Sequence, residues 1–289
     1  MPEGHTLHRL AAALGEAFRG DRVAASSPQG RFAGSAALID GAVVHGAQAC
    51  GKHLFVEFGA DRVLHVHLGL YGAFVRHALP LTGPPEPVGQ VRLRLVGARW
   101  YADLRGATAC ELLDGPEQRA IEQRLGPDPL RADADPERMW AMISKSRRPI
   151  AALLMDQTVV AGIGNVYRAE LLFRSGIDPQ VQGTQLSRRT VTALWEDICV
   201  LMAHGVRTGR IDTLRPEDDP VGSLSSNSPR AVRCARGVYV YRRQGDPCRV
   251  CSTRVRTQVL AGRNLFWCPR CQRRRTARPV VSGVPTAAV

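Results

Sequence analysis

Three patterns predict a multidomain α+β chain: apolar–polar alternation in the first hundred residues, helical periodicity from about residue 137, and a close cysteine quartet near the C-terminus. The 289 residues suffice for two or three cores. With 44% hydrophobic and 22% charged residues, wholesale disorder is excluded. No apolar run approaches the ~18–20 residues that cross a bilayer. The leading MPEGHTLHRL has Glu3 and no apolar stretch, so it does not read as a secretory signal and a cytoplasmic protein is expected.

Leu7, Leu10, Ala11 and Leu14 recur at helical spacing before Gly15, so the first ~20 residues are expected to be helical. Strands follow. Leu64, Val66 and Leu68 alternate with His65 and His67, and Val91, Leu93 and Leu95 alternate with Arg92 and Arg94. That period of two, with one polar face, predicts antiparallel sheet through about residue 115, interrupted by the proline-rich stretch 78–89. The turn-rich, acidic stretch 116–136 reads as a linker that ends in a helix start at Asp135 and Pro136. Helical periodicity marks Met139–Ser144, Pro149–Gln157, Val166–Arg174 and Leu186–His204, the last expected to stop at Gly205. Residues 207–230 read as a long mobile loop closing a helical domain of 137–230, a compact ribbon is expected over 238–275, and the tail 279–289 reads as disordered.

The charge is concentrated. Segment 230–278 holds 14 arginines, no lysine and one acid, Asp246, so the net +13 lies there and the remainder is neutral. A basic block on a balanced body is the electrostatic footprint of a polyanion binder. A membrane surface fits less well, because the block has no sustained amphipathic helical face. Only Lys52 and Lys145 are lysines, which suggests that they serve as amines or compact point charges where arginine would not.

Cys50, Cys110, Cys199 and Cys234 are scattered and read as reduced thiols. Cys248, Cys251, Cys268 and Cys271 read C-x2-C-x16-C-x2-C, the spacing of a four-thiolate zinc ribbon. Each C-x2-C pair brings two thiolates to one tetrahedral ion, and the intervening residues suffice for a hairpin. Four thiolates leave no open coordination position, so one structural Zn2+ is expected.

Two segments carry candidate chemistry. In DQTVVAGIGNVYRAELLF, Gly162 and Gly164 form a turn and Asn165 is a good N-cap for the next helix. Unpaired N–H groups at such a helix start suit a phosphate, although a plain helix hairpin has the same pattern. At the N-terminus, removal of Met1 would leave Pro2 as a secondary amine beside Glu3. An α-amine has a reference pKa near ~8, so part of it is a free nucleophile at neutral pH. It can attack an aldehyde-like carbon while Glu3 moves the proton.

With these motifs the chain resembles the formamidopyrimidine-DNA glycosylase/endonuclease VIII family. The resemblance rests on PEG at 2–4, GKHLF with Lys52, HLGLYG at 67–72, DLRG at 103–106, LGPDPL at 125–130, the run 148–179 and the ribbon 245–271. It implies an N-terminal β-sandwich with its leading helix, a helix-two-turn-helix domain and a zinc finger, clamping damaged double-stranded DNA as a monomer. Pro2 would be the Schiff-base nucleophile on C1′, Glu3 the proton donor, and Lys52 the grip on the phosphate beside the lesion. Asn165 and Arg263 would hold flanking phosphates, and Arg105 would also contact DNA. Leu70 and Tyr71 match residues that fill the gap left by an everted base, though an isolated Leu-Tyr pair would ordinarily read as sheet-face packing.

The implied activity is bifunctional base-excision repair, with β,δ-elimination after removal of an oxidised base. Thr6 stands where the family carries an acid, His5 where it has proline, and Ala151 where formamidopyrimidine-type members have lysine. These departures, with LYG at 70–72, favour the endonuclease VIII branch and oxidised pyrimidines. Two alternatives stay open: a damaged-DNA binder that is non-catalytic or lyase-only, and a zinc-ribbon RNA-binding factor, which leaves the N-terminal motif unexplained.

Overall fold

A computed structural model describes residues 2–59, 61–218 and 237–273. The leading helix α1 (Gly4–Phe18) is followed by β1 (Ala24–Ser26), α2 (Ala33–Ile39), β2 (Val44–Cys50), β3 (His53–Phe58) and β4 (Arg62–His67). Next come β5 (Ala73–Ala78), β6 (Val91–Val96), β7 (Trp100–Arg105) and β8 (Ala109–Leu113). Two four-stranded antiparallel sheets result, ordered β2-β3-β4-β8 and β1-β6-β7-β5. Leu54, Val56, Leu64 and Val66 of the first sheet share one core with Phe74, Leu93, Leu95 and Leu104 of the second, and Leu7, Leu14 and Phe18 of α1 complete it.

The helix expected over the first ~20 residues spans Gly4–Phe18, running through Gly15 because Leu14, Ala17 and Phe18 still bury against the sheets. Two expectations change here. The run containing HLGLYG is two strands in different sheets, separated by the 68–72 turn. The polar rows are also partly covered: His65 is buried between Phe55, His53 and Glu111, and Arg94 is buried against Asp103. Alternation marks which side chains share a face, but not whether something later covers that face.

The stretch read as linker contains a helix, α3 (Gly115–Gln123). Asp114 Oδ1 accepts from Glu117 N at 2.8 Å, and Glu117 Oε2 accepts from Asp114 N at 3.0 Å, a capping box that stabilises an otherwise polar helix. As expected, α4 (Pro136–Ile143) starts at Asp135, whose carboxylate accepts from Glu137 N. The short α5 (Ile150–Leu153) stops before Gln157, and α6 (Asn165–Arg174) follows the glycine turn.

The long α7 (Arg188–Thr208) passes through Gly205 and ends at Gly209, which has φ 72°. Gly205 is there for closeness: a Cβ would lie 2.5 Å from Tyr167 Oη and 2.9 Å from the His5 ring. A single-turn 3-10 segment spans Pro216–Asp218. Residues 219–230, half of the expected 207–230 loop, the 279–289 tail and Cys234 lie outside the described residues.

Helices α4 to α7 enclose a second core around Ile143, Leu153, Tyr167, Leu171, Leu194 and Ile198. The C-terminal ribbon is the antiparallel hairpin β9 (Arg256–Leu260) and β10 (Arg263–Trp267). It packs on α6 through Phe266, Val255 and Val238 against Val166, Ala169 and Phe173. Among the described residues, no helix is long and apolar enough to cross a membrane.

Candidate active site

The start of α6 is the organising feature. A helix start exposes N–H groups with no intrahelical acceptor and a partial positive charge. Here Glu3 fills that place from the opposite end of the chain. Its Oε1 accepts from Val166 N at 2.8 Å, and its Oε2 accepts from Gly164 N at 2.9 Å and Tyr167 N at 3.3 Å. The sequence expectation of Asn165 as N-cap is therefore corrected: Gly164 holds that position, and these N–H groups meet a carboxylate already in the protein.

Glu3 is fully buried. Burial raises its pKa, against the opposing pull of Lys52 and the three N–H donors. A carboxyl so placed is suited to carry a proton that it later gives up. Lys52, on the turn between β2 and β3, donates from Nζ to Ile163 O at 2.8 Å. Burial lowers its pKa, Glu3 raises it, and Arg263 lowers it further.

Gly162 makes this crowding possible. It has φ 86°, its carbonyl accepts from Gly4 N at 2.8 Å, and a Cβ on it would lie 3.4 Å from Gly4 Cα and 3.7 Å from Gly51 Cα. Three chain segments thus converge: the start of α1, the β2–β3 turn and the turn before α6.

Pro2 lines a pocket of about 640 Å3 together with His5, Thr6, Val166, Tyr241 and Arg242. Thr6 Oγ1 accepts from Glu3 N at 3.4 Å and lies 3.3 Å from His5 Nε2. Burial pushes His5 down to about 4, so it is neutral near pH 7, and its ring stands edge-on to Tyr167 at 5.4 Å.

Asn165 is buried and reaches sideways. Its Nδ2 donates to Asn264 O at 3.0 Å, and its Oδ1 accepts from Arg168 Nη2. It thereby ties α6 to the tip of the ribbon hairpin. Arg263, the neighbouring residue on that tip, is exposed and close enough to act on the charge of Lys52. The structure therefore gathers Pro2, Glu3, Lys52, Asn165 and Arg263 about one locus. Sequence reasoning missed Arg168, which is fully buried and pushed down to about 10 by that burial; its spacing of three from Asn165 was the available signal.

Leu70 and Tyr71 lie apart from that locus in sequence, on the turn between β4 and β5. Their exposures of 43% and 90% exclude packing under a sheet. Arg105 pairs in register with Ala73 beside the same turn.

The four ribbon thiols fit one metal. Their Sγ atoms all lie within 4.8 Å of one another, with 3.8 Å between Cys248 and Cys271 and 3.4 Å between Cys251 and Cys268. A tetrahedron with Zn–S of ~2.3 Å has edges of about 3.8 Å. The site is thus built for one structural Zn2+.

Comparison with known proteins agrees with this architecture. Residues 1–110 match the model of the formamidopyrimidine-DNA glycosylase N-terminal domain, and 125–215 match that of the formamidopyrimidine-DNA glycosylase H2TH domain. Residues 245–274 match a zinc finger found in FPG and IleRS. The chain belongs to the formamidopyrimidine-DNA glycosylase/endonuclease 8 family. It is 55% identical to Endonuclease 8 1 of Mycobacterium tuberculosis, over 94% of this chain and all of the relative. It is 33% identical to the formamidopyrimidine-DNA glycosylase of Geobacillus kaustophilus, over 82% of this chain and 84% of that one. The same fold appears in the Lactococcus lactis formamidopyrimidine-DNA glycosylase bound to DNA containing an abasic site, with TM-score 0.74, 22% identity, and coverage of 94% of this chain and 100% of that one.

Proposed function

We propose that the chain is a bifunctional DNA glycosylase and abasic-site lyase of base-excision repair, acting as a cytoplasmic monomer on damaged double-stranded DNA. The observation that carries this reading is the dehydrated Glu3 carboxyl capping α6, with Pro2 beside it in a pocket and Lys52 opposite. The names of the relatives point to the same chemistry.

With Met1 removed, the Pro2 nitrogen attacks C1′ of the everted nucleotide. The glycosidic C1′–N bond breaks, and the base leaves with a proton from Glu3. The nitrogen proton is passed to O4′ as the C1′–O4′ bond breaks, opening the sugar ring to an iminium, which acidifies C2′. Proton removal there breaks the C3′–O bond, and a second elimination breaks C5′–O. Lys52, Asn165 and Arg263 grip the phosphates flanking the lesion, Arg105 adds a DNA contact, and Leu70 with Tyr71 fills the vacated stack. The zinc hairpin holds Arg263 in place. Oxidised pyrimidines are the favoured substrates, because the LYG turn and Ala151 follow the endonuclease VIII pattern. A lyase-only reading draws on Thr6, whose hydroxyl stands where an acid would be and is bonded to Glu3 N.

Borohydride should trap the protein covalently on abasic DNA, and Pro2→Gly or retention of Met1 should abolish trapping. Efficient trapping by a chain that keeps Met1 would refute the nucleophile. Release of oxidised pyrimidines from a lesion panel separates the glycosylase from the lyase-only reading.

A further inference from the structure

The face of the first sheet turned away from the shared core carries a row of imidazoles that the chemistry above leaves unused. His53 on β3 pairs in register with His67 on β4, and His65 pairs with Phe55 on one side and Glu111 of β8 on the other. His65 Nδ1 lies 3.3 Å from Glu111 Oε2, and His65 Nε2 lies 2.9 Å from His53 Nδ1. The His53 and His65 rings are within 18° of parallel, and His65 also stacks on Phe55. These bonds fix the protons. A carboxylate accepts, so His65 carries its proton on Nδ1 and leaves Nε2 bare; His53 then donates from Nδ1 and leaves its own Nε2 bare. His67 has the opposite tautomer. Gly69 N donates to its Nδ1 at 3.2 Å, with Thr108 Oγ1 2.8 Å from the same nitrogen, so its proton sits on Nε2.

His53 Nε2 makes no hydrogen bond among the described residues and, unlike the shielded His5 Nδ1, is open to solvent. The groups that face His53 are His65 and His67 on β4, Arg124 just after α3 and Lys52 on the β2–β3 turn. Burial first, and then each of these four, disfavours a proton on the ring and holds it down to about 3. Glu111 is the acid of the row and lies at its far end, with its side chain 56% exposed. An anion arriving beside Lys52 cancels part of the cationic field and favours a proton on His53. That proton has a prepared place. Entering at Nε2, its charge is shared along the row, because the Nδ1–H of His53 meets His65 Nε2 and the Nδ1–H of His65 meets Glu111.

We propose that His53, with its tautomer fixed by His65 and Glu111, is the proton acceptor that couples capture of a DNA phosphodiester beside Lys52 to uptake of one proton from solvent. This rests on the proposed repair function, which places a phosphate at Lys52. The sign follows from linkage: the complex binds more protons than the free protein, so affinity rises as pH falls. An opposite charge within ~4–6 Å raises a histidine's pKa by about 1–3, which carries His53 from about 3 into the range just below pH 6. His67 takes no part, since the nitrogen it would protonate already accepts from Gly69 N.

The test uses the full zinc-loaded chain and a duplex carrying tetrahydrofuran, a non-cleavable abasic analogue. Calorimetric titration at about pH 5.5, in buffers of different ionisation enthalpy, counts the protons taken up per duplex bound. The wild type should take up about half a proton more than His53→Gln, and its affinity should rise about twofold more than that variant's between about pH 7.5 and 5.5. His67→Gln should take up as much as the wild type. Glu111→Gln removes the negative end of the row at an exposed position and should cut the extra uptake by about half or more, which keeps the test decisive if His53→Gln does not fold. Wild-type uptake retained by a folded His53→Gln or by Glu111→Gln, or uptake lost in His67→Gln, overturns the assignment. Failure of the wild type to be trapped by borohydride on abasic DNA sinks the repair reading instead, whatever the proton count.

Discussion

Replacing Gly164 by alanine probes the Glu3 cap without altering any charged group. Gly164 has φ −117° and ψ −161°, which any L-residue adopts, so the whole effect is steric. The new Cβ would lie 2.4 Å from the Glu3 carboxyl carbon, 2.6 Å from its Cγ and 2.6 Å from Oε1. The carboxylate has to retreat by roughly 1 Å to regain ordinary contact, and it is fully buried with no solvent to receive it. One or two of its three N–H bonds then break. At roughly 1.5–3 kcal/mol for each hydrogen bond to a charged group, the expected destabilisation is about 1.5–6 kcal/mol. Base excision should fall at least about a hundredfold, because the proton donor is misplaced by about an ångström. Gly15→Ala is the matched control: it sits inside α1 with nothing within 4 Å of its Cβ and should stabilise by about 1 kcal/mol. Urea unfolding followed by tryptophan fluorescence, together with base release, reads both. A Gly164→Ala protein within about 1 kcal/mol of wild type and with full excision would refute the cap as the organiser of this site.

Cys251→Ala should release the zinc to a chromogenic chelator and weaken DNA binding at least about tenfold, while the N-terminal domain keeps its fold, since the ribbon core is small and separate from the sandwich core. Tyr71→Ala should change stability by less than about 0.5 kcal/mol, the side chain being exposed, yet weaken binding to lesion duplexes about tenfold in a titration against undamaged DNA. His5 is held neutral by burial down to about 4, against 6.5 when free. The unfolded chain therefore takes up a proton first as pH falls, and stability is lost between pH 6.5 and about 4, by at most about 3 kcal/mol from this residue. His5→Gln should flatten that part of the stability–pH curve; an unchanged curve would mean that the imidazole is solvated.

What could be read in advance was local. The four thiolates sit in two short loops, so their spacing alone implied one tetrahedral centre, and the Asp135-Pro136 helix start needs only neighbours in sequence. The capping box at Asp114 was equally local and went unread because α3 is polar. The fate of Gly205 was not local: it looked like a helix stop, yet its lack of a side chain makes room for Tyr167 and His5. Asn165 illustrates the same limit. Its residue type suits a cap, but the helix start already had an acceptor, and its amide serves the ribbon instead.

The sequence by itself determined the partition into β-rich, helical and metal-bound units, because periodicity and ligand spacing act over a few residues. Tertiary structure alone decided which acceptor satisfies the orphaned N–H groups of α6 and which polar rows become buried. Those groups must find partners wherever they are dehydrated, but that requirement does not name the partner. Only the meeting of Glu3 with Gly164, Val166 and Tyr167, and of Arg94 with Asp103, supplies it.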